Sequence, residues 1–399
     1  MKVVHVISGL NGGGTEITLW RLLGASRFET EVVSLTDIGE VGERIRRLGI
    51  PVTGLEMGGP VSNVTAVARL ARWLHRRRPD VVQTWLYHAD LVGGLAARLG
   101  TDAPVLWNIR HAHFVPGVEK RATLRTVRAC AALSRRLPTK ILCCSHASRT
   151  SHALLGYPPD VMVVAPNGFD LAAFRPDALA RAAIRRELGL SEDDVLIGVI
   201  GNHRPEKDLA NFLAAAARLH ADRPGVRFLL CGIELDWDNE TLARPIRALG
   251  LAECFSLLGN RSDVARVGAA LDVGCSSSVS EGMPNAIGEV MACGVPCVVT
   301  DVGDSARLVG ETGRVVPALD GAALGSALRD LVDARPARRR ELGAAARRRI
   351  AAHFSFRAFV EHYHTIYEEV CDERNRRTSG RRAGTEPDTR GDRRFRVTS

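Results

Sequence analysis

The sequence predicts an α/β fold of two doubly wound domains, and three observations lead to that expectation. Short apolar runs alternate with amphipathic helical stretches, the β-α-β-α order of a parallel sheet covered on both faces. Several runs end in glycine-bearing or polar loops that open a helix, where open α/β sheets bind ligands. The 399 residues are enough for about two domains of ~100–200 residues each.

Residues 3–7 make a short buried strand that enters the loop Ser8-Gly9-Leu10-Asn11-Gly12-Gly13-Gly14-Thr15-Glu16, then a helix over about 17–23. A glycine loop at that junction lets the backbone approach a ligand closely. Asp37, at the end of the next strand (31–35), stands where a dinucleotide fold places its ribose acid. The glycines lack G-x-G-x-x-G spacing, which argues against a nicotinamide or flavin enzyme. A helix over 64–77, a strand at 81–83 and a glycine-bearing helix around 91–99 follow. Trp85, Tyr87, His88 and Asp90 come just after that strand end. Such groups suit a sugar face, and equally a packed aromatic beside a capped helix. The strand from 105 likewise ends in Arg110, His111 and His113. Residues 120–136 carry Lys120, Arg121, Arg125, Arg128, Arg135 and Arg136 among Leu124, Val127 and Leu133. The run reads as a solvated helix face or as contact with an anionic membrane surface.

Strands at 141–145 and 161–164 close the first domain, and Pro166-Asn167-Gly168-Phe169-Asp170 is a turn cluster. A helix over 178–188 leads to the strand 195–201 and then to Asn202, Arg204 and Lys207, cations that would neutralise a diphosphate. Past the strand 226–232, Asp236 and Asp238 form a D-x-D triplet that could suit a hard cation. The long crossover into a helix over 241–249 makes them loop and cap residues instead. After the strand 271–275 and the serines 276–278 comes Ser280-Glu281-Gly282-Met283-Pro284-Asn285-Ala286-Ile287-Gly288-Glu289. Pro284 suits a first helical position. Ile287, Val290 and Met291 share one face, and Gly294 with Pro296 ends the helix. The open N-terminus of that helix offers N–H donors to a phosphate. Glu281 and Glu289 can each accept two hydrogen bonds from a diol. A pyrophosphate with a sugar on each side matches that layout. Helices over 322–332, 337–354 and 361–371 complete the folded body. The basic residues after 372 have few core formers and are expected to be disordered.

The net charge of +9 points to an anionic partner, although part of it sits in the tail. The cations are scattered and no aromatic-studded basic groove is evident, so nucleic acid is not an expected partner. The nine cysteines show no zinc spacing and read as reduced thiols. No secretory signal and no apolar run near the ~20 residues of a membrane span is present.

The run 280–289, continued through Gly294-Val295-Pro296-Cys297-Val298-Val299-Thr300-Asp301-Val302-Gly303 and Thr312-Gly313-Arg314-Val315-Val316-Pro317, resembles the donor-binding signature of retaining family-four glycosyltransferases. The resemblance runs from about residue 3 to 367, and "PNGFD" resembles the family's marker before the interdomain crossover. It implies the GT-B fold: two Rossmann-like domains facing across a cleft, with a terminal helix crossing back. The domains would be 1–168 with 355–371, 169–354, and a tail at 372–399. It implies donor contacts from Gly13, Gly14, Asn202, Asn260, Arg261, Gly282, Met283, Pro284, Asn285 and Glu289, the last on the ribose. His111, Lys207, Arg204 and Glu281 would be catalytic, with Arg110 and His113 as alternatives to His111 beside the transferred sugar. Thr15, Glu16, Tyr87, His88, Arg110 and His113 would meet the acceptor, although Thr15 and Glu16 also read as a plain helix N-terminus. Many relatives carry arginine where this chain has Asn202, so Arg204 would substitute from two residues on. No metal and no further cofactor are implied. The implied reaction moves a hexosyl group from a nucleotide diphosphate sugar, UDP-linked by family habit, to a hydroxyl. The runs "QTWLYHADLVGG" and "WNIRH" resemble relatives that build O-antigen or exopolysaccharide. They imply a lipid-linked glycan acceptor; the cysteines point to the cytoplasm, and the basic run 120–136 to a place at the inner face of its membrane. The rival readings are an epimerase or phosphorylase on the same scaffold, and a nucleotide-sugar- or nucleic-acid-binding protein.

Overall fold

The computed structural model of the chain describes residues 1–57, 62–112, 114 and 120–383. Thirteen strands are described: β1 (Lys2–Ile7), β2 (Glu29–Ser34), β3 (Val52–Gly54), β4 (Val81–Trp85), β5 (Val105–Ile109), β6 (Lys140–Cys143), β7 (Met162–Val164), β8 (Val195–Ile200), β9 (Val226–Cys231), β10 (Phe255–Leu257), β11 (Val273–Ser276), β12 (Cys297–Thr300) and β13 (Arg314–Val316). They form two sheets, ordered β3-β2-β1-β4-β5-β6-β7 and β10-β9-β8-β11-β12-β13. Every strand pairing is parallel. Both orders step outward from the first strand and then reverse, the doubly wound pattern with its switch point beside that strand. The central strands are buried along almost their whole length, because helices cover both faces.

Each sheet has its own core and anchors one lobe. The crossover between lobes runs beside the returning chain: Phe169 N–H donates to the Phe354 carbonyl at 2.9 Å, and Phe356 N–H to the Phe169 carbonyl at 3.0 Å. The last helix, Phe356–Ala383, then packs on the first lobe. Tyr363 stacks on Trp85 at 6.0 Å between ring centroids and accepts from Asn108 Nδ2 at 2.9 Å.

That helix corrects the expected disorder for residues 372–383. Arg374 donates to the Asp80 carbonyl and Glu373 lies near Lys140, so the helix is still tied to the first lobe beyond Cys371. Residues 384–399 lie outside the described residues. The helix expected around 91–99 begins earlier, at Tyr87. Pro284 is the residue before its helix, Asn285–Ala292, rather than the first within it. All nine cysteines are free thiols, eight of them buried. Among the described residues no helix is long and apolar enough to cross a membrane.

Candidate active site

The C-terminal edges of the two sheets face each other, so the loops that leave those edges meet at one seam. From the second lobe come the residues after β8 and after β11. They enclose a cavity lined by Gly201, Asn202, Lys207, Glu281, Pro284 and Asn285, with apolar walls from Val199, Leu235 and Ile287.

The serine run shapes this cavity. Ser277 Oγ donates to the Lys207 carbonyl at 2.8 Å, fixing the turn that carries the lysine. Ser278 Oγ donates to Glu281 Oε1 at 2.7 Å, and Lys207 Nζ reaches the same oxygen at 2.5 Å. A cation and a carboxylate therefore stand together beside the open N-terminus of the helix Asn285–Ala292. Gly288 in that helix lets the far end of the Phe169 ring press against it: a Cβ there would be 2.1 Å from the ring's Cζ. The aromatic of the crossover thus seats the helix.

The first lobe closes the other side. A Cβ on Gly282 would lie 2.9 Å from the Arg110 carbonyl and 2.6 Å from Cys144 Sγ, so only glycine lets the two loops touch. Arg110 Nη2 donates to Asn167 Oδ1 at 2.6 Å. Asn167 Nδ2 donates to Asn285 Oδ1 at 2.7 Å, and Asn285 Nδ2 to the Gly14 carbonyl at 3.3 Å. Asn167 thus joins the end of β5 to the first residue of the helix. Asp304 accepts from the N–H groups of His146 and Ala147 at 2.9 Å each, while its own N–H donates to the Gly282 carbonyl.

Other expected site residues fall into different places. Met283 is buried in the seam, its sulfur accepting from Asn167 N–H at 3.3 Å. Gly13 precedes the helix Gly14–Gly24, and Thr15 lies in its first turn. Glu16 folds back on that turn. Burial raises its carboxyl above the usual range, against the pull of backbone N–H groups, Arg204 and Arg110. Arg204 is exposed and lies outside the cavity wall. His111 packs on Phe114 at 5.2 Å between ring centroids, one residue beyond the carbonyl that meets Gly282. His113 lies outside the described residues.

Three expectations need correction. Tyr87 does not face the seam: it is buried with its hydroxyl 2.9 Å from His152 Nε2, because it starts a helix whose inner face is core. His88 is exposed, its Nε2 3.4 Å from Thr126 Oγ1 on the neighbouring helix Arg121–Leu133. Arg261 is clamped by Asp263 and Glu187, so its guanidinium is committed to structure; Asn260 beside it is exposed. Glu289, the residue expected on the ribose diol, is on the helix that borders the cavity but outside the cavity's lining. It sits one turn beyond Asn285, on the same helix face, and Arg21 Nη1 holds its Oε1 at 2.7 Å. In the D-x-D triplet, Asp236 Oδ1 accepts from the N–H groups of Asp238 and Asn239, the work of a turn. Asp37, just past β2, accepts from Asn11 Nδ2 of the first loop at 3.1 Å.

The family model for glycosyltransferase family 4 matches residues 12–173, and that for glycosyl transferases group 1 matches residues 194–334. The chain belongs to the family 4, group 1 glycosyltransferases. This glycosyltransferase is 23% identical over 321 residues to the UDP-Gal:α-D-GlcNAc-diphosphoundecaprenol α-1,3-galactosyltransferase of Escherichia coli, covering 77% of this chain and 81% of the relative. It is 24% identical to the putative glycosyltransferase EpsF of Bacillus subtilis, covering 75% and 79%. Among solved structures, HepE of Anabaena in complex with UDP-glucose superposes with a TM-score of 0.82 at 21% identity, over 92% of this chain and 100% of HepE. Sucrose-phosphate synthase of Thermosynechococcus elongatus gives 0.78 at 19%, over 93% and 99%. These likenesses establish the GT-B fold. Three residues that make contacts at the seam were not among the expected site residues: Arg21, Asn167 and Asp304. Asn167 lies in the turn before the crossover and Asp304 at the end of the loop after the strand from 297, whereas Arg21 carried no signal.

Proposed function

We propose that this glycosyltransferase moves a hexosyl group from a UDP-sugar to a hydroxyl of a lipid-linked or growing surface glycan, with retention at the anomeric carbon. The observation that carries the reading is the Lys207–Glu281 pair at 2.5 Å beside the open helix N-terminus. The diphosphate lies along the N–H groups of Gly282, Met283, Asn285 and Ala286, and its β-phosphate displaces Glu281 from Lys207. Glu281 then accepts from sugar hydroxyls, and Glu289 takes the ribose diol. The bond from the anomeric carbon to the β-phosphate oxygen breaks as the acceptor oxygen bonds the same face. The acceptor proton passes to the departing phosphate. Lys207 and the backbone N–H groups stabilise the charge that develops there. His111, two residues beyond β5, lies beside the transferred sugar and orients or polarises it.

The E. coli relative's lipid-diphosphate acceptor supports the acceptor class. Arg121, Arg125, Arg128, Arg135 and Arg136 are all exposed on or just beyond the helix Arg121–Leu133 and support peripheral contact with an anionic membrane face. The deciding experiment incubates the protein with a panel of nucleotide sugars, with and without chelator, and follows slow donor hydrolysis. A UDP-hexose should be consumed in both conditions, releasing the sugar with its anomeric configuration kept. Inversion, or activity lost to chelator and restored by Mn²⁺, would overturn the mechanism.

A further inference from the structure

Glu289 is 9% exposed, and its recorded hydrogen bond is to a residue 268 positions away. Arg21 belongs to the last turn of the helix Gly14–Gly24, in the first lobe. Its guanidinium also lies 5.3 Å over the ring of Phe174, in the crossover segment. One cation therefore touches the first lobe, the crossover and the helix that carries the glutamate. A planar cation held between a ring and a carboxylate has little freedom to turn.

A buried carboxylate without a cation takes up a proton. The protonated group has an O–H donor where a diol needs acceptors. We propose that Arg21 is a positioning residue for the donor site: from the first lobe it keeps the Glu289 carboxylate charged and oriented, arming the second lobe's diol acceptor when the lobes are shut. This rests on the assignment of Glu289 to the ribose diol.

The surroundings agree with that role. Burial raises the Glu289 carboxyl above its ordinary range, and Arg21 pulls it back. Cys293, further along the same helix, is pushed up to about 12 by burial and by the Glu289 charge, so it is neutral. Arg347, from the helix Pro336–His353, donates to the carbonyls of Leu171, Phe174 and Ala292. The sign follows: without Arg21 the folded-state carboxyl rises further, and diol binding is lost at a higher pH as acid is added.

The test measures UDP affinity by calorimetry from pH 5.5 to 8.5 for the wild type, Arg21→Lys, Arg21→Met and Glu289→Gln. Carboxyl titration by NMR on glutamate-labelled protein runs alongside. Arg21→Met should weaken UDP about tenfold at neutral pH. It should also move the acid limb of binding up by about one pH unit. Arg21→Lys should restore most of both, and Glu289→Gln should bind weakly with no acid limb. If Arg21→Met keeps wild-type affinity and pH profile while Glu289→Gln is weak, the positioning role fails and the ribose assignment survives. If Glu289→Gln binds UDP normally, the ribose assignment fails. An unmoved Glu289 titration in Arg21→Met would then overturn the role of Arg21 on its own evidence.

Discussion

Replacing Asp304 should open the molecule without unfolding either lobe. Asp304 is 7% exposed, and both carboxylate oxygens receive backbone N–H groups at the start of the helix His146–Leu154. Ser145 Oγ already covers the Ser148 N–H of that helix, so Asp304 supplies the two remaining contacts from the opposite lobe. In Asp304→Ala both N–H groups must turn to water, which they reach once the lobes separate. The change resembles loss of a helix cap together with its charge at the positive end of the dipole. It should cost about 2 kcal/mol of closure, a factor of about 30 in the closed-to-open ratio. Asp304→Asn keeps an acceptor but loses the charge, and should fall between. Small-angle scattering would report a larger radius of gyration for Asp304→Ala, and calorimetry a weaker affinity for UDP. Circular dichroism should stay unchanged. Identical scattering and UDP affinity in Asp304→Ala and wild type would refute the reasoning, because the contact would then contribute nothing to closure.

Gly282→Ala should cost about 1–3 kcal/mol of lobe closure by overpacking, since the new methyl meets the Arg110 carbonyl and Cys144 of the opposite lobe. Turnover should fall while the melting temperature of the protein holds, and Cys144→Ala should restore only part of the loss. Lys207→Met leaves Glu281 without its cation and the departing phosphate without a charge partner. Its kcat should drop about 10²–10³-fold, with Lys207→Arg retaining a measurable share. Burial raises the Asp90 carboxyl from 3.8 to about 8, against hydrogen bonds from Thr84 and the Asn108 N–H. The folded protein keeps a proton that the unfolded chain releases, so this contribution to stability is full at acid pH and declines as pH rises toward 8. Urea midpoints at pH 5 and pH 8 should converge in Asp90→Asn relative to wild type.

Much of the architecture was legible locally. Short apolar runs ending at Ile7, Cys143 or Ile200 match buried parallel strands in length and composition, and each is followed by a loop whose composition announces it. The direction in which a side chain points at a strand end was not legible. Tyr87 and His88 are neighbours, yet one is core and the other is surface, because a helix begins at Tyr87 and turns them apart by about 100°. Arg261 looked like a ligand-facing cation until Glu187, 74 residues earlier, was brought against it.

Period and turn chemistry act over a few residues. On their own they determined the α/β alternation, the open-ended helix after residue 284, and Lys207 and Glu281 as groups of opposite charge in the loops that follow β8 and β11. Pairings that cross the seam depend on where two separately folded sheets come to rest. Only the tertiary structure decided that Glu289 meets Arg21, that Asn167 bridges Arg110 to Asn285, and that Asp304 caps a helix of the other lobe. No local rule reports such contacts, because their partners are set by packing between segments more than fifty residues apart.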